Sequence, residues 1–420
     1  RRHTRYPLVT GSSDVCSSDL ASPVCWTTVM FASGSCNPQR SFGADVLSRI
    51  EAAGRIEASS EPGLKIMQTQ IVSLLNGFIS EMLTECGRTK VSRFSVAGNT
   101  VMCHLLMGIS PAKMGKAPFL PDEYFGRAFN PLDIGLENCQ TMIIFPAVSG
   151  FVGGDITAGM METVNCNELT LYLDIGTNGE MALGKGDRYV CCATAAGPAF
   201  EGAQIEMGMP ASKGAVDKVW LEGRRIKYSV IGNDRPVGLC GSGLIDALAV
   251  LLKAGIIDEN GTILSGQELP ILFRSYVFEV EAEETAQSTE TSLAVHIAPG
   301  VYITQEDIRK LQLAKGAIAA GIEVLFKEYG CMPCNIDVLT FAGGFGNYID
   351  KASAAAIGLF PQELLDKAKE VGNAAGNGAV SAALSQEAWK RALDISGNMR
   401  YIELASYPHF NEMYVEHMNF

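Results

Sequence analysis

A carboxylate followed by a glycine-rich turn is the feature of this sequence best suited to chemistry. The apolar run 171–173 ends in Asp174, and the turn 176–179 (Gly, Thr, Asn, Gly) leads into a second apolar run. Glycine turns let backbone N–H groups approach phosphate oxygens closely. We therefore expect Asp174 to hold a Mg²⁺-bound water or to orient an attacking water, with Thr177 and Asn178 donating to a phosphate. A plain hairpin with a hydrogen-bonded Asp is the alternative.

Further glycine segments surround this one in the sequence. The segment 195–203 follows the predicted hairpin, and 238–243 opens a helix, where free N–H groups can bind an anion or where glycine serves packing alone. The segment 341–347 follows an apolar strand and can lie flat against a planar ring such as adenine. On the helix before it, Arg309, Gln312 and Lys315 are three residues apart and share one face, either as ligand contacts or as solvated surface.

Two stretches about 245 positions apart have the same plan. Each contains an amphipathic helix, a glycine, an apolar strand, an Ala-Gly turn, a second helix and a Gly-x-x-Pro end, at 67–111 and again at 308–361. Apolar spacing of three and four residues is typical of helices packed on a sheet. The repeat is too long for a solenoid unit, so it predicts two related α/β lobes with a ligand cleft between them.

Composition excludes several classes of protein. The 420 residues, 47% hydrophobic and 19% charged, describe a globular protein of two or three domains. The net charge of −13 argues against general nucleic-acid binding, and no apolar run is long enough to span a membrane. The twelve cysteines are scattered and predict reduced thiols. The single C-x-x-C, Cys331 to Cys334, is interpreted as a structural loop, a redox pair or a ligand set shared with another chain.

An ordered series of motifs resembles one family. The Asp-Ile-Gly-Thr hairpin, the later Gly-Gly-Phe-Gly turn and the duplicated lobe resemble the ASKHA superfamily of acetate and sugar kinases, heat-shock ATPases and actin. Within it, the sequence from 37 to 420 resembles the reductive activators of corrinoid proteins, which are ferredoxin-linked ASKHA ATPases. The segments that carry this resemblance are 37–46, 96–100, 150–156, 174–180, 238–244, 304–316 and 401–404.

The resemblance implies a duplicated two-lobe ASKHA α/β fold with a nucleotide cleft between the lobes. Asp174 and Asp155 are the expected catalytic carboxylates, and Asp174 is also expected to hold Mg²⁺ through water. The residues expected to contact ATP are Gly176, Thr177, Asn178 and Gly179 of the phosphate motif, Gly343, Gly344 and Phe345 of the adenosine motif, and Gln312 and Lys315 on the helix.

The implied function is ATP-driven reduction of a corrinoid protein from Co(II) to Co(I) in methyl-transfer metabolism. The expected partner is a corrinoid iron–sulfur or corrinoid methyl-carrier protein in the cytoplasm, with a homodimer left open and with neither nucleic acid nor membrane involved. Full-length relatives resemble fusions with an N-terminal [2Fe–2S] domain. Neither its C-x₄-C-x₂-C motif nor the first-lobe phosphate hairpin is found here, so this chain is expected to be a weak ATPase.

The domain prediction follows the motifs. We expect residues 1–20 to be non-native, because they resemble translated sequencing-adapter sequence, and we assign no domain to residues 21–36. Residues 37–165 form a first lobe truncated at its start, and residues 166–420 form the second lobe with a C-terminal segment.

Two other functions remain open from the sequence. The first is the activator ATPase of a 2-hydroxyacyl-CoA dehydratase, in which Cys331 or Cys334 would bind a [4Fe–4S] cluster. The second is an actin-like scaffold that binds nucleotide and polymerises. Iron analysis and light scattering with ATP distinguish these from the leading hypothesis.

Overall fold

The computed structural model describes residues 7–11, 18–21, 24–25, 28–29, 33–43, 45–55, 62–281, 291–343 and 348–420. The strands are β1 (Pro7–Gly11), β2 (Ser18–Ala21), β3 (Val24–Cys25), β4 (Thr28–Val29), β5 (Ser33–Cys36), β6 (Arg93–Ala97), β7 (Arg127–Phe129), β8 (Met142–Ile144), β9 (Thr170–Ile175), β10 (Gly179–Lys185), β11 (Arg188–Thr194), β12 (Ala215–Glu222), β13 (Arg225–Val230), β14 (Gly238–Leu239), β15 (Val277–Glu281), β16 (Thr291–Ala298), β17 (Val301–Thr304), β18 (Val338–Ala342), β19 (Ala368–Glu370) and β20 (Met399–Tyr401). The helices are α1 (Val46–Ala53), α2 (Gly63–Glu85), α3 (Thr100–Met107), α4 (Gly154–Thr163), α5 (Gly241–Lys253), α6 (Gln305–Tyr329), α7 (Lys351–Ala356), α8 (Ala374–Leu384), α9 (Gln386–Gly397) and α10 (Phe410–Glu416).

The two large sheets repeat one topology. The first has the strand order β5-β2-β1-β6-β8-β7, and the second has the order β11-β10-β9-β18-β19 with β20 added beside β11. In both, the first three strands are antiparallel, and the fourth and fifth lie parallel to the first. The predicted two-lobe ASKHA fold is confirmed, and the predicted hairpin forms with a third antiparallel strand, β11, beside it.

Glycines mark the same positions in both repeats. Gly87 follows α2 at φ +62°, and Gly330 follows α6 at φ +79°. Gly108 and Gly358, which end the next helical segment of each repeat, have φ +68° and +72°. A left-handed residue ends a helix with little strain only when it lacks a β-carbon. The repeated glycines therefore fix where each helix stops and the chain turns back.

The long helices bury the faces that their spacing predicts. On α2 the buried residues include Met67, Ile71, Leu75, Phe78, Ile79 and Met82. On α6 they include Ile308, Leu311, Ile318, Ile322 and Leu325. Thr304 and Asp307 cap α6 reciprocally, each side chain accepting from the other's backbone N–H at 3.1 Å. Burial of about ten apolar side chains along each helix is worth far more than its intrinsic propensity.

The start of the chain differs from the domain prediction. Residues 7–11 and 18–21, which the sequence analysis set aside from the fold, form β1 and β2 of the first sheet, where the second lobe has β9 and β10. The first lobe therefore has an antiparallel strand pair at the position of the hairpin that was expected to be missing. The turn between these strands, at 12–17, lies outside the described residues. The non-native origin of residues 1–20 stays a prediction.

Two helices cross between the lobes. The helix α4 follows the first sheet, but its Gly159 lies against the hydroxyl of Tyr172 in the second sheet. The helix α8 comes late in the chain, yet it packs on β1 and β6 of the first sheet. At the crossing, Gly378 of α8 lies directly on the backbone of Ala158 of α4, where a β-carbon would collide.

The second lobe carries an insertion after β11. It contains two three-stranded sheets, β13-β12-β14 and β15-β16-β17, together with α5. Apolar side chains of β9, β10 and β11 pack against α5 and α6 on one face of the second sheet, and against α4, α8 and α9 on the other. Among the described residues, no helix is both long and apolar enough to cross a membrane.

Candidate nucleotide site

The predicted phosphate hairpin forms at the edge of the inter-lobe cleft. Asp174 on β9 lies directly across from Glu180 on β10, so that both side chains leave the same face of the sheet. The turn between the two strands is closed by the Gly176 N–H, which donates to the Asn178 carbonyl at 2.9 Å. The short turn presents residues 176–179 at the tip of the hairpin, as a phosphate-binding loop requires.

The next glycine segment braces this turn. The Gly197 N–H donates to the Thr177 carbonyl at 2.9 Å, and Gly197 itself takes φ +78°. Thr177 Oγ1 donates to Glu201 Oε2 at 3.3 Å. The segment 195–203, left unassigned by the sequence analysis, therefore holds the turn 176–179 in place through Gly197 and Glu201.

Three carboxylates surround one buried tyrosine. Tyr172 on β9 is fully buried, and its pKa is raised well above the ordinary value by burial and then by the charges of Asp174, Asp155 and Glu180. Asp155, in the first turn of α4, is 7% exposed and accepts from the Ile156 N–H at 2.9 Å. The charges of the two expected catalytic carboxylates and of Glu180 therefore all act on the same tyrosine, and Asp174 and Glu180 lie opposite each other in the sheet.

The first lobe reaches the same place through Asn99. This residue follows β6 in the Ala-Gly-Asn turn and packs against the start of α4. A β-carbon on Gly153 would come within 2.7 Å of the Asn99 Cα. Asn99 Nδ2 donates to Glu180 Oε1 at 3.3 Å. The turns after β6, before α4 and between β9 and β10 therefore converge on one point between the lobes.

The adenosine motif is described only at its first glycine. Gly343 follows β18 at φ +80°, and Asp174 Oδ1 occupies the space that a side chain on Gly343 would need. The register of β18 with β9 pairs Ala342 with Asp174. Gly344 and Phe345 lie outside the described residues, so their expected contacts with adenosine stay predictions.

Gln312 and Lys315 contact the chain's own C-terminal segment, residues 417–420. Gln312 Nε2 donates to the carbonyls of Asn260 at 3.0 Å and Met418 at 2.9 Å. Lys315, 1% exposed, donates to the Asn419 carbonyl, and its Nζ lies 5.5 Å from the centre of the Phe420 ring. Burial lowers the pKa of Lys315 from 10.5 to about 8. Their expected role in nucleotide binding stays a prediction, and it would require this segment to move.

Two other sequence features have structural explanations. A β-carbon on Gly243, near the start of α5, would collide with the Val216 carbonyl, so this glycine serves close packing of α5 on β12. Cys331 and Cys334 lie around a short 3₁₀ turn (Pro333–Asn335), with Cys334 exposed. Within the described residues, His, Cys, Asp and Glu form no group of three that could hold a metal ion.

Two cavities lie near α6. One, of about 430 Å³, opens between the lobes beside Asn178 and is lined by Leu47 and Phe151 of the first lobe and by Tyr401 and Tyr414 of the second. The other, of about 880 Å³, lies away from the carboxylates, between the C-terminal half of α6 and the segment around Phe360. The smaller cavity borders the phosphate turn, so it is the one that belongs to the candidate site.

Sequence reasoning missed three residues of the site. Glu180 and Asn99 were quoted within motifs but given no role, and Glu201 was noted only as part of a glycine segment. A buried acid at the start of β10 was detectable, because Glu180 interrupts an apolar strand opposite Asp174. The contacts of Asn99 and Glu201 span 81 and 24 positions and left no local signal.

Two models of known protein families match this chain. Residues 168–420 match the model of the C-terminal domain of RACo, the ASKHA domain, and residues 25–165 match the RACo middle region. The chain belongs to the RACo family. A family relative, the corrinoid activation enzyme RamQ of Eubacterium limosum, is 36% identical over 391 residues, which cover 90% of this chain and 64% of the relative.

Two further proteins are similar to this chain. The [Co(II) methylated amine-specific corrinoid protein] reductase of Methanosarcina barkeri is 28% identical over 315 residues, covering 65% of this chain and 52% of that protein. A solved structure, the reductive activator for corrinoid, iron-sulfur protein, superposes with a TM-score of 0.80 at 32% identity, covering 100% of this chain and 67% of that one. The chain thus spans about half to two thirds of the length of these relatives.

Proposed function

We propose that this chain is the ATP-hydrolysing part of a reductive activator that returns a cytoplasmic corrinoid protein from Co(II) to Co(I). The observation that carries the proposal is the pairing of Asp174 with Glu180 beside the turn 176–179, where Asn99 of the first lobe donates to Glu180, in a chain related to corrinoid activators. The expected partner is a corrinoid iron–sulfur or corrinoid methyl-carrier protein.

The proposed chemistry assigns separate tasks to the residues of the cleft. The turn 176–179 binds phosphate oxygens through its backbone N–H groups. Thr177 donates to a phosphate oxygen only once its hydroxyl turns away from Glu201 Oε2, to which it donates here. Asp174 orients the water that attacks the γ-phosphorus. The new P–O bond forms as the bond to the β–γ bridging oxygen breaks, ADP leaves with that electron pair, and the proton of the water passes to the released phosphate.

The carboxylates also suit Mg²⁺. Hard carboxylate oxygens and water are the ligands this ion prefers, and it usually keeps several waters when phosphate supplies the rest. We assign contact with Mg²⁺ through water to Asp174 and Asp155. Bound there, Mg²⁺ would neutralise charge on the phosphates.

Coupling to cobalt requires two states of the protein. Binding energy can shift a redox equilibrium only if nucleotide or partner binds the two states with different affinity. The proposal therefore requires an open and a closed arrangement of the two lobes, which meet at crossed helices and at a cleft lined by both.

The first test is calorimetry of ATP binding with and without Mg²⁺, on the wild-type chain and on Asp174→Ala. The proposal expects binding that needs both Mg²⁺ and Asp174. The second test follows the absorbance of cobalt when a corrinoid protein in the Co(II) state is mixed with the chain, ATP and Ti(III) citrate as electron donor. Formation of Co(I) that depends on ATP supports the proposal.

Each outcome has a distinct meaning. Absence of nucleotide binding removes the ATPase role. Nucleotide binding without any effect of ATP on Co(I) formation removes the activator role of this chain and leaves a nucleotide-binding module. ATP-induced light scattering would favour the actin-like scaffold instead.

A further inference from the structure

The side-chain amide of Asn99 makes hydrogen bonds in both lobes, one through its oxygen and one through its nitrogen. The residue is fully buried at the turn between β6 and α3. Its Oδ1 accepts from the Val101 N–H at 2.9 Å and so caps α3 within the first lobe. Its Nδ2 donates to Glu180 Oε1 at 3.3 Å, across the cleft, on β10 of the second lobe. Capping alone needs only the oxygen.

Glu180 is placed where a catalytic carboxylate would act. It is 6% exposed, it lies across from Asp174 in the β9–β10 register, and its charge acts on Tyr172 together with those of Asp174 and Asp155. Buried carboxylates need hydrogen-bond donors. One of these donors comes from the opposite lobe, so the orientation of Glu180 depends on how the lobes are placed.

We propose that Glu180 is a third carboxylate of the nucleotide site and that Asn99 is its positioning residue, supplied by the opposite lobe. The inference rests on the proposed ATPase function. When the lobes close, the Asn99 amide fixes Glu180 so that it shares with Asp174 the orientation of the attacking water. When they separate, the hydrogen bond is lost and hydrolysis slows while the phosphate turn, which lies entirely in the second lobe, keeps its affinity.

Substitution by serine separates the two roles of Asn99. Serine is as good an N-cap as asparagine, so Asn99→Ser preserves the cap of α3, but its hydroxyl is too short to reach Glu180. Glu180→Gln keeps an acceptor for Asn99 Nδ2 and removes the charge. Asn373→Ser is the matched control, because Asn373 caps α8 through the same kind of bond, from the Gly376 N–H at 2.8 Å, with an exposed side chain.

The experiment measures steady-state ATP hydrolysis and, by calorimetry, MgATP affinity for the full chain and these variants. Because Asn99 and Glu180 act as one unit, we expect Asn99→Ser and Glu180→Gln each to lower kcat by about tenfold or more, and the double variant to be no slower than Glu180→Gln. Affinity for MgATP should stay near the wild-type value, the melting temperature of Asn99→Ser should fall because buried Glu180 loses a donor, and Asn373→Ser should match wild type throughout.

Two results would overturn the inference. They are wild-type turnover in Asn99→Ser and multiplied effects in the double variant. In both cases ATP hydrolysis by the wild-type chain stands. Absence of MgATP binding or of hydrolysis in the wild-type chain would instead remove the proposed function on which the inference rests, so the two failures are distinguishable.

Discussion

The carboxylate of Asp174 lies in the space where a side chain on Gly343 would be. Gly343 also has φ +80°, a conformation that favours glycine. A β-carbon at position 343 would therefore displace the Asp174 carboxylate. This contact joins the turn after β18 to the strand end that leads into the turn 176–179, so a change at position 343 moves Asp174.

Gly343→Ala should lower both stability and nucleotide affinity. Alanine in the left-handed conformation costs about 1–2 kcal/mol, and here it also displaces Asp174. Gly330→Ala is the matched control, because Gly330 has φ +79° and nothing within 4 Å of a β-carbon. Thermal unfolding and calorimetry of both variants are the measurements. Equal loss of nucleotide affinity in the two would show that Gly343 does not position Asp174.

Asp174→Asn should reduce ATP hydrolysis while the chain stays folded. The amide keeps the shape of the side chain but loses the charge that orients water and Mg²⁺, an effect on the order of 100-fold in turnover. Asp187→Asn, in the exposed turn at the far end of the same antiparallel strands, is the control. Steady-state kinetics with varied Mg²⁺ test the prediction, and turnover like that of Asp187→Asn would contradict it.

The free energy of unfolding should rise with pH between about 8 and 10.5 because Lys315 is buried. Burial lowers its pKa from 10.5 to about 8, so between these values the unfolded chain binds a proton that the folded chain does not. Stability contributed by this group therefore rises with pH across that window and is lost as pH falls through about 8. Denaturant unfolding at several pH values measures the slope.

The substitution Lys315→Met should abolish the rise in the free energy of unfolding between pH 8 and 10.5. Lys310→Met is the matched control, because Lys310 lies on the same helix but pairs with Glu306 at 2.8 Å nearer the surface. If Lys315→Met and the wild-type chain have the same pH profile from 8 to 10.5, burial does not lower the pKa of this lysine.

The Cys331–Cys334 pair should bind no iron. Cys331 is half-buried, and burial raises the pKa of its thiol, which disfavours the thiolate that a cluster needs. We expect anaerobically prepared wild-type chain and the double variant Cys331→Ser/Cys334→Ser to have equal iron content and equal nucleotide affinity. Iron present only in the wild type would revive the dehydratase-activator hypothesis.

Local features of the fold were predictable because they depend on short-range patterns. Asp174, the turn after it and the two apolar runs predicted the β9–β10 hairpin, since strand alternation and glycine turns act over a few residues. The helix faces of α2 and α6 followed from their spacing. The repeat was visible because glycines such as Gly87 and Gly330 end equivalent helices.

Contacts between distant segments were not predictable from these patterns. Asn99 meets Glu180, and Lys315 meets Asn419, over 81 and 104 positions respectively, and periodicity does not say which elements will meet. The assignment of Gln312 and Lys315 to nucleotide missed the C-terminal segment for this reason. Residues 1–20 were set aside on their resemblance to adapter sequence, although β1 needs only a backbone that can pair with β6.

The contact between α4 and α8 limits which hybrids of related chains can fold. Each helix is encoded beside one sheet and packs on the other, and they touch through Gly378 and Ala158 without intervening side chains. A cut between 165 and 168, where the two family segments meet, would leave each half with an uncovered apolar face. Hybrids that join the middle region of one relative to the ASKHA domain of another take α4 and α8 from different parents, so they should fold only when one of the two helices is exchanged as well.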